Sequence, residues 1–378
     1  MNIEQDFTFL SKRTAIADKV KYIRQHLNLK YQVVDRISVV IYHEERNTLQ
    51  TYVLDEERDS EFSNYEVNFS QCHSLLQIAQ EKSARIVNDM SVFTANKKAH
   101  SARVEMAGYR SSFTMPLYYD DKLLGFFFVN SHKKNALNTE LTKTLSYISV
   151  MLALVLHQDL RDINTLKSTI ESMKLISQYR DPETGEHLKR MAYYSLLIAR
   201  KVAKKHQLCD EFIEHLFLYA PLHDLGKLMV PDAILLKPGR LNADEFEQMK
   251  LHTTQGNELI EKLVNIYQLH NMPFIEVLKN IVFSHHEQID GRGYPKGLTG
   301  KEIPIEAKIV AVADIFDALT SNRPYKKAWT NDQAFDELYK MSANKIEFEF
   351  VHALDHSRTD IEEIQQLFQD EYHEWMQQ

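Results

Sequence analysis

The sequence predicts a multidomain chain in which an α+β domain, a long connector helix and an all-α domain follow one another. Three observations predict this. The chain has 378 residues, more than one hydrophobic core usually serves. Its β-rich runs end at Asn130, and a stretch without Gly or Pro then extends from Asn138 to Tyr179. Eight of the ten glycines lie between Gly185 and Gly300, among polar motifs set in helical patterning. The boundaries read as 1–140, 141–179 and 180–378.

In the first domain, Arg36–His43 (RISVVIYH) and Leu49–Leu54 flank Glu44–Thr48 and predict a hairpin. A helix is expected near His73–Lys82. A second strand pair, Ser112–Tyr118 and Leu123–Asn130, is joined by Tyr119-Asp120-Asp121-Lys122. Antiparallel strands with helices before, between and after them read as an α+β sensor domain. The adjacent Cys72 and His73 could suggest a haem or metal contact. A buried cysteine beside a helix-start histidine is the plainer reading.

In the connector, Leu156, Ile163 and Ile170 fall seven apart, and Leu166 and Met173 take the interleaved positions. That spacing points to a short coiled coil and a parallel homodimer, with packing against its own domain as the alternative. Its most apolar run, Leu145–Leu156, is broken by Ser146, Tyr147 and Ser149, and falls short of the roughly 20 apolar residues that span a bilayer. The acidic start MNIEQDFTFL does not read as a secretory signal. Two cysteines in different halves offer no disulfide framework. A soluble cytoplasmic protein without a membrane partner is expected. A net charge of −8 argues against a dedicated DNA or RNA binder but allows a small phosphate ester in a local basic pocket.

The last domain reads as helices at Thr184–His206, Asp210–Leu222, Asn242–Val264, Pro273–His286, Pro304–Thr320 and Asn331–Met341. Asn242 with Glu245 makes an N-x-x-E start, a variant of the capping box. Within these segments Glu183 and His187 lie four apart and share a face. His223 and Asp224 follow an apolar run, with Lys227 one turn on, while His252, His285 and His286 sit on later helices. Asp314 and Asp317 interrupt the apolar KIVAVADIFDAL. Singly, each has a bland reading as a solvated face or a cap. Burying Asp314 in such a helix, however, is costly without a metal or a partner. Five histidines and three carboxylates without a thiolate suit iron, manganese or zinc, and outnumber the needs of one ion. Clustered ions favour phosphoester hydrolysis.

His223-Asp224, HDLGK at 223–227 and HHEQIDGRGYPKGL at 285–298 resemble the signature of the HD-GYP family of cyclic dinucleotide phosphodiesterases. The similarity continues through PDAILLKPGRL, MKLH at 249–252 and ADIFDALTSNRPYKKA at 313–328. The first domain is similar in strand pattern to GAF sensor domains. By position, the resemblance implies Glu183, His187, His223, Asp224, His252, His285, His286 and Asp314 as metal ligands, with Asp224 bridging two ions. Glu183 favours three ions over two, with iron ranked first and manganese next. The resemblance further implies Lys227 at the scissile phosphate or its leaving oxygen, and counts Asp317 among the substrate-binding residues, in support. Arg323 and Lys326 would grip substrate phosphates. Tyr294 is either a nucleotide contact or a loop anchor.

The implied reaction opens cyclic di-GMP to pGpG, and a second cut gives GMP, with the sensor domain as candidate regulator. Alternatives are another cyclic dinucleotide such as 3′,3′-cyclic GMP-AMP, a non-catalytic nucleotide-binding effector, or a simpler HD phosphohydrolase of mononucleotides. The last leaves HHEQIDGRGYP and RPYKKA unexplained. A small-molecule ligand for the sensor domain is left open. Past Met341 the chain departs from the family pattern, lacking its Gly-containing segment and Phe-Asp-Pro element.

Overall fold

The computed structural model describes residues 7–56, 66–93, 104–176, 185–321 and 327–368. The chain divides into two compact units, Met1–Asp162 and Ile163–Gln378.

The first unit is built on a six-stranded antiparallel sheet of order β3-β2-β1-β6-β5-β4. Its strands are β1 (Arg36–His43), β2 (Thr48–Glu56), β3 (Glu66–Asn68), β4 (Arg85–Val87), β5 (Ser111–Tyr119) and β6 (Lys122–Ser131). Both expected hairpins form. At the β5–β6 turn, Asp120 and Asp121 take φ of +46° and +61°, as a tight two-residue hairpin turn requires. The three-residue strands β3 and β4 were not anticipated.

Alternation along the strands feeds two cores. Ile37, Val39, Ile41, Phe127 and Val129 face helix α1 (Ile16–Lys30) and the first part of the long connector helix. Val40, Phe126 and Phe128 face Leu75 and Ile78 of α2 (His73–Glu81). Cys72 is buried and His73 is the exposed first residue of α2, which fits the plainer reading of that pair.

The connector is α3 (Thr139–Ile176). Leu141, Leu145, Ile148, Leu152 and Leu156 pack in the sheet unit's core, whereas Ile163 and Leu166 pack in that of the second unit. This corrects the expected coiled-coil seam. Leu156, Ile163 and Leu166 are each only 1% exposed within their own chain and cannot face a partner. The side chains of Ile170 and Met173 lie outside the described residues. Among the described side chains of this helix, the exposed large apolar ones are Tyr147, Val150 and Leu154. The stretch Thr139–Thr169 is also long and apolar enough to cross a membrane by length and composition, a property missed by counting only the most apolar run, Leu145–Leu156. Its residues Leu141, Leu145, Ile148, Leu152 and Leu156 form the face buried in the sheet unit's core.

The second unit is helical: α4 (Gly185–His206), α5 (Asp210–Tyr219), α6 (Asp232–Leu235), α7 (Ala243–Lys250), α8 (His252–Tyr267), α9 (Ile275–Ser284), α10 (Ile305–Thr320), α11 (Asn331–Met341), α12 (Phe348–Asp355) and α13 (Arg358–Leu367). Helix α4 packs against α5, α10, α12 and α13. The capping box forms as read: the Glu245 N–H donates to Asn242 Oδ1 at 2.9 Å, and the Asn242 N–H donates to Glu245 Oε2 at 2.8 Å. The expected single helix Asn242–Val264 is instead two, parted at Leu251. There the carbonyl of Met249, in the last turn of α7, accepts from the His252 ring. Helices α12 and α13 fill the segment that departs from the family pattern.

Candidate metal centre

Five stretches of chain converge in the second unit. His187 stands in the first turn of α4, and Asp314 lies inside α10. His223 and Asp224 occupy the bend between two short 3₁₀ turns, Ala220–Leu222 and Leu225–Met229. His252 begins α8, and His285 and His286 follow directly on α9. The bend lies close to α8 because residue 226 is glycine: a Cβ there would sit 1.7 Å from the His252 carbonyl oxygen.

The side chains form two groups. Asp224, His252, His285 and His286 bring one ligand atom each within 4.8 Å of one another, and His187, His223 and Asp314 do the same. Asp224 joins them. Its Oδ1 lies 3.2 Å from His252 Nε2 and 3.5 Å from His285 Nε2, while its Oδ2 lies 3.2 Å from His223 Nε2. Asp314 Oδ1 lies 3.9 Å from Nε2 of both His187 and His223.

The imidazoles are oriented from behind. Nδ1 of His223, His252 and His285 lies 3.1, 2.7 and 2.9 Å from the carbonyls of Ala220, Met249 and Ile281. A carbonyl only accepts, so each Nδ1 carries the proton and Nε2 presents its lone pair inward. His187 Nδ1 donates in the same way to Asp317 Oδ2, at 2.7 Å. This is the outer-shell pattern of metal-ligating histidines. The inward atoms His252 Nε2, His285 Nε2 and Asp224 Oδ1 are buried without a hydrogen-bonded partner. Orphaned lone pairs aimed at one point, on nitrogen and oxygen donors, fit divalent ions of the iron, manganese or zinc type.

The electrostatics agree. Burial alone would raise the Asp224 carboxyl, but Lys227, His223 and His252 together hold it well below the ordinary carboxylate range. Lys227 Nζ reaches Asp224 Oδ2 at 2.6 Å. Burial pushes His285 down against the pull of Asp224. Burial and the neighbouring His285 push His286 well down. Both rings thus favour the neutral form that ligates.

Tyr294 lies half-buried over the second edge of the centre. Its ring is 4.7 Å from that of His286, and its N–H donates to the His286 carbonyl at 3.2 Å. Burial holds its phenol protonated. The loop carrying it is pinned by Glu287, whose carboxylate accepts from the N–H groups of Lys296 at 2.7 Å and Leu298 at 2.8 Å. Gly293 admits this fold-back, since a Cβ there would lie 2.2 Å from the Gln288 nitrogen.

The placement of Asp317 corrects one expectation. Counted among the substrate contacts, it is fully buried behind His187, with both oxygens engaged by His187, Arg190 and Ser321. Burial would raise its carboxyl, but the hydrogen bonds from His187 and Arg190 outweigh this and hold it below the ordinary range. Glu183, Arg323 and Lys326 lie outside the described residues. Sequence reasoning missed Arg190 and Glu287. Glu287, next to the histidine pair, carried a usable signal, whereas Arg190 looks like any cation of HLKRMAYY.

Residues 172–349 match a family model described as an HD domain. A cyclic di-GMP phosphodiesterase response regulator, RpfG, of Xanthomonas campestris is 42% identical over 198 residues, 52% of this chain and 50% of that one. A cyclic di-GMP phosphodiesterase of Thermotoga maritima is 39% identical over 54% of this chain and 53% of its own. A 3′3′-cGAMP-specific phosphodiesterase 2 of Vibrio cholerae is 36% identical over 52% of this chain and 35% of its own. The chain thus spans about half the length, or less, of the curated relatives it matches. Among solved structures, the GAF domain of an Acinetobacter phosphoenolpyruvate-protein phosphotransferase is 14% identical, over 43% of this chain and 99% of that one, with a TM-score of 0.34. The centre built from His187, His223, Asp224, His252, His285, His286 and Asp314 accordingly lies within residues 172–349, the stretch that matches the HD domain model.

Proposed function

We propose that the chain is a metal-dependent phosphodiesterase that hydrolyses cyclic di-GMP to pGpG and/or GMP. The observation that carries this reading is the Asp224 carboxylate, with one oxygen toward each histidine group. Two ions fit the two groups, and Glu183 would supply a ligand for a third. Iron stands first and manganese second on the donor set and the resemblance. When bound, the ions would supply an activated water at neutral pH and charge neutralisation at phosphorus.

The chain's own residues divide the remaining work. Asp224 spans the two groups and fixes their separation. Lys227 holds an ammonium at Asp224 Oδ2, close enough to move onto a phosphate or the departing 3′ oxygen. Tyr294 presents a ring and a phenolic donor at the rim, positioned by Glu287. Arg323 and Lys326 would grip the flanking phosphates.

The test is anaerobic turnover of cyclic di-GMP by iron- or manganese-loaded protein, with products separated chromatographically and metal counted on the same sample. Metal-dependent pGpG or GMP is expected. No product from a fully loaded centre would sink the reading. The Vibrio cholerae relatives named as 3′3′-cGAMP-specific support a second reading, in which that dinucleotide is preferred, and it is run beside the first. The buried seam moves the proposed homodimer onto Tyr147, Val150 and Leu154 of α3. Sedimentation of Leu154→Glu tests it, since an unchanged dimer would exclude that face. A cytoplasmic setting and a regulatory ligand for the sheet unit complete the proposal. Turnover unaltered by any change to the sheet unit would remove the regulatory part.

A further inference from the structure

His187 is held through contacts that reach well beyond the centre. Asp317 accepts from His187 Nδ1 at 2.7 Å and is gripped from its other side by Arg190, Nε to Oδ1 at 2.7 Å and Nη2 to Oδ2 at 3.0 Å. The same guanidinium donates from Nη2 to Ser321 Oγ at 2.7 Å and from Nη1 to the carbonyl of Phe368 at 2.8 Å. Ser321 Oγ donates back to Asp317 Oδ2 at 2.8 Å. Phe368 is itself seated, its ring stacked on Tyr193 at 5.3 Å with Lys189 Nζ 5.5 Å from its centroid.

Three parts of the unit meet on this one side chain. They are the ligand His187, the end of α10 just ahead of the segment with Arg323 and Lys326, and the end of the last helix. Arg190 and Asp317 are both buried, and a buried ion pair is by itself weak evidence for stability. What the planar fork supplies is geometry: it fixes a carboxylate, a hydroxyl and a carbonyl relative to one another, which a lysine cannot do.

We propose that Arg190 is a positioning residue that sets His187 from behind, through Asp317. Metal retention by the group of His187, His223 and Asp314 then depends on a side chain outside that group. The inference rests on the reading that this group binds a metal ion.

The test uses the full chain and Arg190→Lys, which keeps the charge and loses the fork. Both proteins are loaded with manganese and dialysed against a weak chelator. Metal per chain, KM and kcat for cyclic di-GMP, and the melting temperature are then measured. Affinity at one of the two groups is expected to fall about 10–100-fold, as loss of an outer-shell partner does, with the circular dichroism unchanged. A folded variant with wild-type metal retention would overturn the proposal. If Arg190→Lys does not fold, Asp317→Asn replaces it. That variant keeps an acceptor for His187 Nδ1 and removes the ionic grip, so the same loss is expected and wild-type retention again overturns the idea. A wild-type chain that takes up no manganese overturns the metal reading itself, a result distinct from an unaffected variant.

Discussion

The two units both bury polar side chains, but of different kinds and in different arrangements. In the sheet unit they are mostly hydroxyls and amides strung across neighbouring strands. Asn130 of β6 donates to Ser112 of β5 at 3.0 Å and accepts from Arg36 of β1 at 3.3 Å. In the helical unit most are ionisable, and one set converges on one place from five stretches of chain, leaving His252 Nε2, His285 Nε2 and Asp224 Oδ1 without hydrogen-bonded partners. Arg36, Ser112 and Asn130 close on one another and tie three strands together. Polar groups that leave their lone pairs aimed at a common point wait for a ligand.

The largest expected effect tests the helical side of that contrast. Asp224→Ala removes the carboxylate that faces both groups. Turnover should fall by about a thousandfold or more, beyond the 10–100-fold of an outer-shell loss, while circular dichroism stays unchanged. Near-normal rates in a fully metallated variant would break the comparison at its centre.

A change in the sheet unit should behave in the opposite way. Phe127 is fully buried, and Phe127→Ala should destabilise that unit by about 3–5 kcal/mol in denaturant unfolding. Metal content should be untouched. Loss of metal along with the sheet would show that the two kinds of burial are not independent.

The third prediction concerns pH. Burial raises the Asp159 carboxyl to about 6, with nearby Asp162 adding to the rise and Lys19 and Arg13 opposing it. An acid raised in the folded state contributes stability that is full below its unfolded pKa and lost as pH rises through about 6. Asp159→Asn should therefore stabilise the sheet unit at pH 8, by at most about 3 kcal/mol, and have little effect near pH 4. An equal shift in melting temperature at both pH values would refute the assignment. The smallest effect is expected from Tyr294→Phe, which keeps the ring and the backbone bond to His286. Turnover should drop less than about fivefold, the scale of one neutral hydrogen bond, and a larger loss would place the phenol among the reacting groups.

How much of this was legible in the sequence follows from the range of the interactions involved. Strands β1, β2, β5 and β6 announce themselves because alternation and turn residues are local. Asp314, His223 and Asp224 stood out as polar residues inside or just after apolar runs. The three-residue strands β3 and β4 are too short to carry a period. The break at Leu251 is made by a histidine ring taking a backbone carbonyl, which no helical periodicity encodes. Arg190 meets Asp317 from 127 positions away, and Glu287 binds amides nine and eleven residues on. Both looked like surface charges because their partners are supplied by the fold. Asp317 was placed at the substrate for the converse reason: its neighbour Asp314 faces the centre, and only the packing of α10 separates their roles.

The Nδ1 bonds of His187, His223, His252 and His285 have one more consequence. Each is made to the protein itself, so an ion leaving the centre takes no scaffold bond with it. Small zinc domains that fold around their metal collapse on chelation. This helical unit, with its separate apolar core, should stay folded when stripped and accept a different ion on refilling. It is a socket rather than a clasp, and its occupant at any moment is set by which ions the surroundings supply.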